Sequence, residues 1–211
     1  MTTFINANKY REESLAINNL QELKKATEEA SVLLQRIQNY CEDNDLNWAE
    51  IPDARVRFPR GFIRHANLQR QRFSFIPNKA LKSNLAYTLI LSDVVLWLNL
   101  RTDLWGVPSE MLTKLYVFLI ASLCESITKE YFSTRCNKGF KPRNTFMLDN
   151  KIVTEELKND LDWIWDTRNK MHLFQLDAGE YINEYDNACH ERCVKTFRSL
   201  IQSLRVDFAK Q

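Results

Sequence analysis

The chain has 211 residues, of which 45% are hydrophobic, enough for one domain with a buried core and too many for a disordered tail. Only 4 glycines and 5 prolines occur, which argues against hairpin-rich all-β folds and against glycine-rich phosphate loops. The net charge of +2 hides an asymmetry, because residues 1–53 carry −5, residues 54–143 carry +10 and residues 144–211 carry −3.

Apolar residues at three- and four-residue steps predict five helices, over residues 8–40, 79–101, 109–132, 154–173 and 178–208. Thr154 is the expected N-cap of the fourth helix, and Asp177 with Glu180 forms a capping box for the fifth. The helix over 79–101 is apolar on most faces and is expected to be central. The predicted fold is all-α: an antiparallel four-helix bundle with an additional long N-terminal helix.

Three regions follow from this pattern. Residues 1–53 hold the N-terminal helix and an acidic connection that begins at Cys41. Residues 54–78 form a basic irregular arm, called here the basic arm, with short extended pieces expected at Arg55–Phe58 and Arg72–Ile76. Residues 79–211 form the bundle, in which 133–152 is expected to be a basic loop.

The sequence predicts a cytoplasmic protein that does not enter a membrane. Residues 1–20 lack the basic start and apolar core of a signal peptide. The longest apolar stretch, Leu85 to Leu100, is short and interrupted by polar residues. Five cysteines without regular spacing are typical of thiols in a reducing compartment.

The basic arm contains no acidic residue, since none occurs between Asp53 and Asp93. Phenylalanines alternate with its arginines, and arginine with stacking aromatics suits RNA. The candidate RNA-binding residues are Arg55, Arg57, Arg60, Arg64, Arg70 and Arg72. Two alternatives stay open: the phenylalanines anchor the arm to the bundle, or the arm contacts an acidic protein surface such as another subunit's N-terminal helix.

Cys189, His190 and Cys193 form the only tight Cys/His cluster, but His190 points about 100° away from the two cysteines on a helix. A zinc site needs more ligands at better spacing, so two buried thiols are the expected interpretation. No metal and no cofactor is predicted.

Arg168 and His172 lie four residues apart near the end of a predicted helix, where their side chains share one face. An arginine holds a phosphate through two parallel hydrogen bonds, and a histidine takes or gives a 2′-hydroxyl proton near neutral pH. The pair therefore suits metal-independent phosphodiester cleavage. Alternatively, both side chains simply cap the C-terminus of the helix.

The string Arg168-Asn169-Lys170-Met171-His172 resembles the R-N-x-x-x-H signature of HEPN domains, and it follows a helix that carries Glu125. In that family the Arg and His form a metal-independent RNase site that is commonly completed across a dimer, often in toxin–antitoxin or antiviral systems. The resemblance implies Arg168, His172, Asn169 and Glu125 as site residues. It also implies a homodimer and an antitoxin or defence-system partner. The chain has three residues between Arg and His where the family usually has four or more, and Phe174 where some members have Tyr.

Two further functions stay open. The same fold can serve as a non-catalytic module whose basic arm binds nucleic acid or an acidic protein. It can also serve as a structural subunit that docks through its long N-terminal helix.

Overall fold

The computed structural model describes residues 17–46, 55–59, 61–170 and 184–210. Those residues form seven helices and no strand, which confirms the all-α prediction. The chain divides into two compact units, Met1–Phe58 and Pro59–Gln211. The first contains α1 (Leu20–Asp43). The second contains α2 (Ala66–Gln71), α3 (Lys79–Arg101), α4 (Val107–Tyr131), α5 (Phe140–Asp149), α6 (Glu155–Asn169) and α7 (Asn187–Phe208).

The prediction of one continuous helix over 8–40 is wrong at residues 17–19, which precede α1, while residues 8–16 lie outside the described residues. Asn19 is extended and caps α1, since its side chain accepts from the backbone N–H groups of Gln21 and Glu22 at 3.0 and 2.9 Å. An asparagine that bonds the following N–H groups starts a helix rather than continuing one. α1 then runs to Asp43, into the stretch predicted as a connection, and no residue of it is buried.

The basic arm is not irregular throughout, because α2 forms within it. The extended piece expected at Arg72–Ile76 is also wrong: this stretch turns, with the Ile76 N–H donating to the Phe73 carbonyl at 3.0 Å. The turn lets Phe73, Phe75 and Ile76 all enter the core, which the alternation of a strand prevents. Phe73 and Phe75 therefore anchor the arm to the bundle, which is the first of the two alternatives to RNA binding given above. They are not available to stack on RNA bases.

The central helix is α4, not α3 as predicted. α4 packs against α3, α5, α6 and α7, whereas α3 packs between α2 and α4. α3 keeps Tyr87 and Leu91 exposed on its outer side. α3 is thus apolar on most of its faces but is not buried on most of them. Single exposed apolar residues are common on protein surfaces, so the apolar composition of α3 did not establish its burial.

The predicted basic loop over 133–152 contains α5. Its inner face is formed by Phe140, Arg143, Asn144 and Met147, all buried, at the spacing of one helix face. The Arg143 guanidinium donates to the Thr128 hydroxyl at 3.0 Å and to the Lys138 carbonyl at 2.7 Å. Two of the face's four members are polar, which is why the apolar pattern did not reveal the helix.

The remaining helix ends agree with the prediction in part. Thr154 caps α6 by accepting from the Leu157 N–H at 3.2 Å, as predicted. α7 begins only at Asn187, because the Asp186 side chain accepts from the Cys189 N–H at 2.8 Å and residues 184–186 are not helical. The predicted capping box of Asp177 and Glu180 lies outside the described residues.

α3 and α4 are long and apolar enough to cross a membrane by length and composition, and they are the two such helices in the described part of the chain. Core helices of soluble proteins pass the same test when they are mostly buried. The apolar window of α4 is 61% buried within the structure and that of α3 is 33% buried. Length and composition therefore do not establish a membrane span.

Candidate functional site

Arg168 lies in the last turn of α6 and is half-buried. Its guanidinium carbon lies 5.0 Å from the ring centre of Trp165 and 5.8 Å from that of Phe118, on α4. Its Nη1 atom donates to the Asn169 side-chain oxygen at 3.1 Å. Its Nε atom is buried without a hydrogen bond among the described residues. Arg168 and Asn169 are thus held together, while His172 lies outside the described residues.

Glu125 lies at a different level of the bundle from Arg168. Its negative charge acts on Arg143, and its backbone carbonyl accepts from Arg143 at 3.5 Å. Along α4, Glu125 is about two turns, or about 10 Å, beyond Phe118, the residue beneath Arg168. The described arginine on which the charge of Glu125 acts is therefore Arg143.

The arginines of the basic arm have different surroundings. Arg55 and Arg57 are exposed in the first unit, and Arg60 lies outside the described residues. Arg70 folds onto α3, where its Nη2 atom donates to the Tyr87 hydroxyl at 3.2 Å and its guanidinium lies 5.7 Å from that ring's centre. Arg64 and Arg72 are half-buried and line a cavity.

The anchor of Arg64 is Asp93, the carboxylate in the middle of α3. The Asp93 Oδ2 atom accepts from the backbone N–H of Arg64 at 3.1 Å, from its Nε at 3.1 Å and from the Gln69 amide at 3.3 Å. The Arg64 Nη2 atom also bonds Asp93 Oδ1. Asp93 is 2% exposed. One buried carboxylate thus fixes the middle of the arm to α3 and orients the guanidinium of Arg64.

The cavity lined by Arg64 and Arg72 has a volume of about 410 Å³ and is bounded by α3, α4 and α7. Two further arginines, Arg198 and Arg205 of α7, line it. We call this cavity, with its four arginines, the arginine pocket. Its apolar walls are formed by Leu89, Leu96, Leu100, Ile120, Val194, Phe197 and Ile201.

The positive charge of the arginine pocket is poorly neutralised. Burial, together with the charges of Arg64, Arg198 and Arg205, lowers the pKa of Arg72, and Asp93 opposes this effect. Among the described residues no carboxylate forms an ion pair with Arg72 or Arg198. Arg205 donates to the Arg72 backbone carbonyl at 3.0 Å, which ties the arm to α7. Four guanidiniums that line one cavity attract anions.

The inner wall carries two titratable rings, Tyr116 and His190, whose centres lie 4.5 Å apart. Burial is the main cause that raises the pKa of Tyr116 to about 12. Burial lowers the pKa of His190, while the charge of Glu191 opposes the shift. The His190 Nε2 atom is buried with no hydrogen bond among the described residues. His190 is therefore a neutral ring at neutral pH and contributes no charge to the pocket.

Replacing His190 with Phe should make the melting temperature depend less on pH in mildly acidic solution. Because the folded-state pKa of His190 is below 6.5, the unfolded chain binds more protons than the folded chain in mildly acidic solution. The free energy of unfolding therefore falls as the pH drops below the pKa that His190 has in the unfolded chain. We expect the melting temperature to fall less between about pH 7.5 and about pH 5.5 in His190→Phe than in the unsubstituted protein. An identical fall in both proteins would contradict this assignment.

Cys189 and Cys193 are both buried, as predicted, and burial raises the pKa of each thiol. Thiols of this kind stay protonated, whereas zinc takes thiolates. In the part of the chain that the structure describes, no group of three His, Cys, Asp or Glu side chains is arranged to hold a metal ion.

Sequence reasoning found Arg64 and Arg72 but missed the residues that complete the pocket. Arg198 and Arg205 are about two turns apart and so share a face of α7, a spacing that the sequence displays. Asp93 was visible as a lone carboxylate within an apolar stretch. A charge inside a buried helix signals a specific partner. Nothing in the sequence indicated that these partners belong to one cavity.

Comparison with protein-family models gives no match, and comparisons with curated proteins and with solved structures give none either. The HEPN resemblance therefore depends on the motif from Arg168 to His172 and on its position in the chain, and it stays a prediction.

Proposed function

We propose that the protein binds RNA, and that the arginine pocket is the main contact for its phosphates. The observation that carries the proposal is the convergence of four arginines, two from the arm and two from α7, on one cavity; Asp93 is the one carboxylate that opposes the effect of their charges on Arg72. Arginine is the preferred side chain for phosphate because its planar fork makes two parallel hydrogen bonds. This arrangement retains Arg64 and Arg72 as RNA-binding residues and adds Arg198 and Arg205.

The other arginines of the arm enter the proposal in lesser roles. Arg70 already donates to Asn67, Ser83 and Tyr87, so it has less capacity for phosphate. Arg55 and Arg57 are exposed and supply long-range attraction to the RNA backbone. Arg60 belongs to the same basic segment of the sequence.

The double substitution Arg72→Ala/Arg198→Ala tests RNA binding. We expect the affinity for single-stranded RNA to fall by at least about tenfold, and the salt dependence of log K to become shallower by about 1.4, since two phosphate contacts are lost. Fluorescence anisotropy over a series of salt concentrations measures both quantities. The control is Arg101→Ala/Lys129→Ala, which removes the same charge from exposed positions that do not line the pocket. If both double variants bind equally, the pocket does not bind RNA.

We further propose that the protein cleaves RNA without a metal, as an HEPN-like antiparallel four-helix bundle of a toxin–antitoxin or antiviral system. His172 removes the 2′-hydroxyl proton, the 2′-oxygen attacks the adjacent phosphorus, and Arg168 stabilises the charge that builds on the phosphate oxygens. The P–O5′ bond then breaks, and the departing 5′-oxygen takes a proton from the His172 of a second chain in the dimer. Asn169 orients the substrate or the histidine. Glu125, which lies on α4 outside the motif, is the remaining candidate site residue. The products carry a 2′,3′-cyclic phosphate and a 5′-hydroxyl.

A non-catalytic RNA-binding or scaffold module is the second candidate, and one observation favours it. The Arg168 guanidinium lies near the rings of Trp165 and Phe118 and donates to Asn169. These contacts give Arg168 a structural role at the end of α6 that does not require catalysis. An acidic protein is then the alternative partner of the basic arm. Cleavage of RNA by the wild-type protein separates the two candidates.

The cleavage scheme needs a second histidine as acid, so it includes a homodimer. We propose that α1 contributes to the dimer. Leu23, Ala30 and Ile37 recur every seven residues on α1, and Ala26, Leu33 and Tyr40 recur between them, which is the spacing of a coiled-coil seam. Leu33 is 55% exposed and Ile37 is 37% exposed in the single chain, so this stripe is open to a partner helix.

Substituting Leu33 and Ile37 with Glu should dissociate the dimer. Light scattering of the wild type at micromolar concentration is expected to give twice 25.0 kDa, and the variant should give the mass of one chain, because two charges then replace the apolar seam. Gln35→Glu/Gln38→Glu adds the same charge on the other side of α1 and should leave the mass unchanged. A monomeric wild type would remove the second histidine and favour the non-catalytic candidate.

A further inference from the structure

The arginine pocket divides into two chemically different parts. Its cationic part consists of the four guanidiniums, and its walls are aliphatic or aromatic, including Leu96, Ile120 and Phe197. A ligand that fits both parts has an anionic group joined to a compact apolar body. A run of RNA backbone satisfies only the cationic part, because its phosphates are spaced along the strand and its bases need surfaces on which to stack.

We propose that the arginine pocket captures one unstacked nucleotide at a phosphorylated end of an RNA strand, with the terminal phosphate on the arginines and the base against the apolar wall. This inference rests on the RNA binding proposed above and names the part of the RNA that is recognised. The cavity of about 410 Å³ is in the range of small-ligand sites, about 300–1,000 Å³, and is thus suited to a single nucleotide.

The charge of the pocket favours a terminal phosphate over an internal one. An internal phosphodiester carries one negative charge, whereas a phosphomonoester carries roughly −1.5 to −2 near neutral pH. The charged groups that act on Arg72 are three other arginines and the single carboxylate of Asp93. Because Asp93 is already engaged by Arg64 through several hydrogen bonds, Arg72 and Arg198 stay available for a dianion. A monoester therefore matches the excess positive charge more closely.

The walls favour a base over an alkyl chain. Tyr116, His190 and Phe197 supply rings, and Ser92 and Gln202 supply hydrogen-bonding groups among the aliphatic side chains. The buried Nε2 atom of His190 has no hydrogen-bond partner among the described residues, and leaving such an atom unpaired costs free energy. A base edge offers donors and acceptors to these groups, whereas the alkyl chain of a fatty acid offers none.

The proposed cleavage products cannot themselves be the preferred ligand. A 5′-hydroxyl end has no phosphate, and a 2′,3′-cyclic phosphate is a diester with one negative charge. The pocket therefore recognises an end that the RNA carries before cleavage. It would select RNAs by the chemistry of their termini, independently of the sequence at the cleaved bond.

The test compares one short single-stranded RNA in three forms: with a 5′-monophosphate, with a 3′-monophosphate, and with hydroxyls at both ends. Binding to the full-length His172→Ala protein is measured by anisotropy, so that cleavage does not alter the probe. We expect one phosphorylated form to bind at least about tenfold more tightly than the hydroxyl form. The two phosphorylated forms identify which end enters the pocket.

The variants locate the effect. Arg198→Ala should abolish the preference for the phosphorylated end, while Arg101→Ala should retain it. Equal affinity for all three RNAs would overturn the inference and leave RNA binding intact, whereas no binding of any RNA would overturn both proposals. Sodium dodecanoate and adenosine 5′-monophosphate are added as competitors. Displacement of the phosphorylated RNA by the mononucleotide supports the inference, and displacement by dodecanoate alone assigns the pocket to fatty acids.

Discussion

Replacing His172 with Ala should strongly slow metal-independent cleavage of RNA while leaving the melting temperature close to that of the wild type. Proton transfer by a positioned side chain is worth roughly 10²–10⁴ in rate. The imidazole is the only group proposed to take the 2′-hydroxyl proton, so its removal should lower the rate by about that factor. The measurement is cleavage of a fluorescent RNA pool with and without EDTA, followed by analysis of the product ends.

The matched control is His65→Ala, which removes an exposed histidine at the start of α2. It should cleave at the wild-type rate. Loss of activity in EDTA would contradict the metal-free scheme. A folded wild-type protein that cleaves no RNA, tested with and without the proposed antitoxin, would leave the chain as a binding module.

Substitution of Arg168 tests cleavage less directly than substitution of His172, because Arg168 also packs against other side chains in the folded protein. Its guanidinium lies near two aromatic rings and bonds Asn169, so Arg168→Ala should lower both the cleavage rate and the melting temperature. Loss of one charge-stabilising donor typically lowers a rate by about 10²–10³. Arg168→Lys keeps the positive charge but not the planar fork. If Arg168→Lys has the melting temperature of the wild type but cleaves RNA more slowly, Arg168 contributes to phosphate contact and not only to packing.

The helices were predictable where apolar spacing and local caps agree. The range of α3 and the Thr154 cap of α6 both follow from residues that are adjacent in the sequence. α5 was missed because Arg143 and Asn144 occupy half of its buried face, and their burial is compensated by partners elsewhere in the chain, such as Thr128 and Asp162. Local apolar patterns carry no information about such distant partners.

The candidate site was predictable only in its chemistry. An arginine-rich segment without acids correctly singled out Arg64 and Arg72 as concentrated positive charge. The placement of this segment depends on Asp93, which lies 29 positions beyond Arg64, and on Arg205 of α7, which lies 133 positions beyond Arg72. Contacts of that separation are fixed by packing, so the sequence could not reveal that the arm and α7 share one cavity.

Replacing Asp93 with Ala should destabilise the second unit more than any other single polar substitution near the pocket. Asp93 is 2% exposed and accepts from Arg64 and from the Gln69 amide, which is fully buried. Its removal leaves the Gln69 amide unpaired inside the protein and frees the half-buried guanidinium of Arg64. Each buried group that loses its partner costs about 1–3 kcal/mol. We expect the melting temperature to fall by several degrees, measured by circular dichroism at 222 nm.

Asp93→Asn distinguishes the carboxylate's charge from its hydrogen bonds. The amide oxygen still accepts from Gln69 and from the Arg64 backbone, so this variant should lose less stability than Asp93→Ala. It nevertheless removes the one negative charge that acts on Arg72, which should strengthen the attraction of the pocket for anions. The Asp93→Asn protein should therefore bind RNA at least as tightly as the wild type, provided that Arg64 keeps its position.

If Asp93→Ala is as stable as the wild type, the arm does not depend on this carboxylate. If Asp93→Asn binds RNA more weakly, the main role of Asp93 is to aim Arg64 rather than to balance its charge.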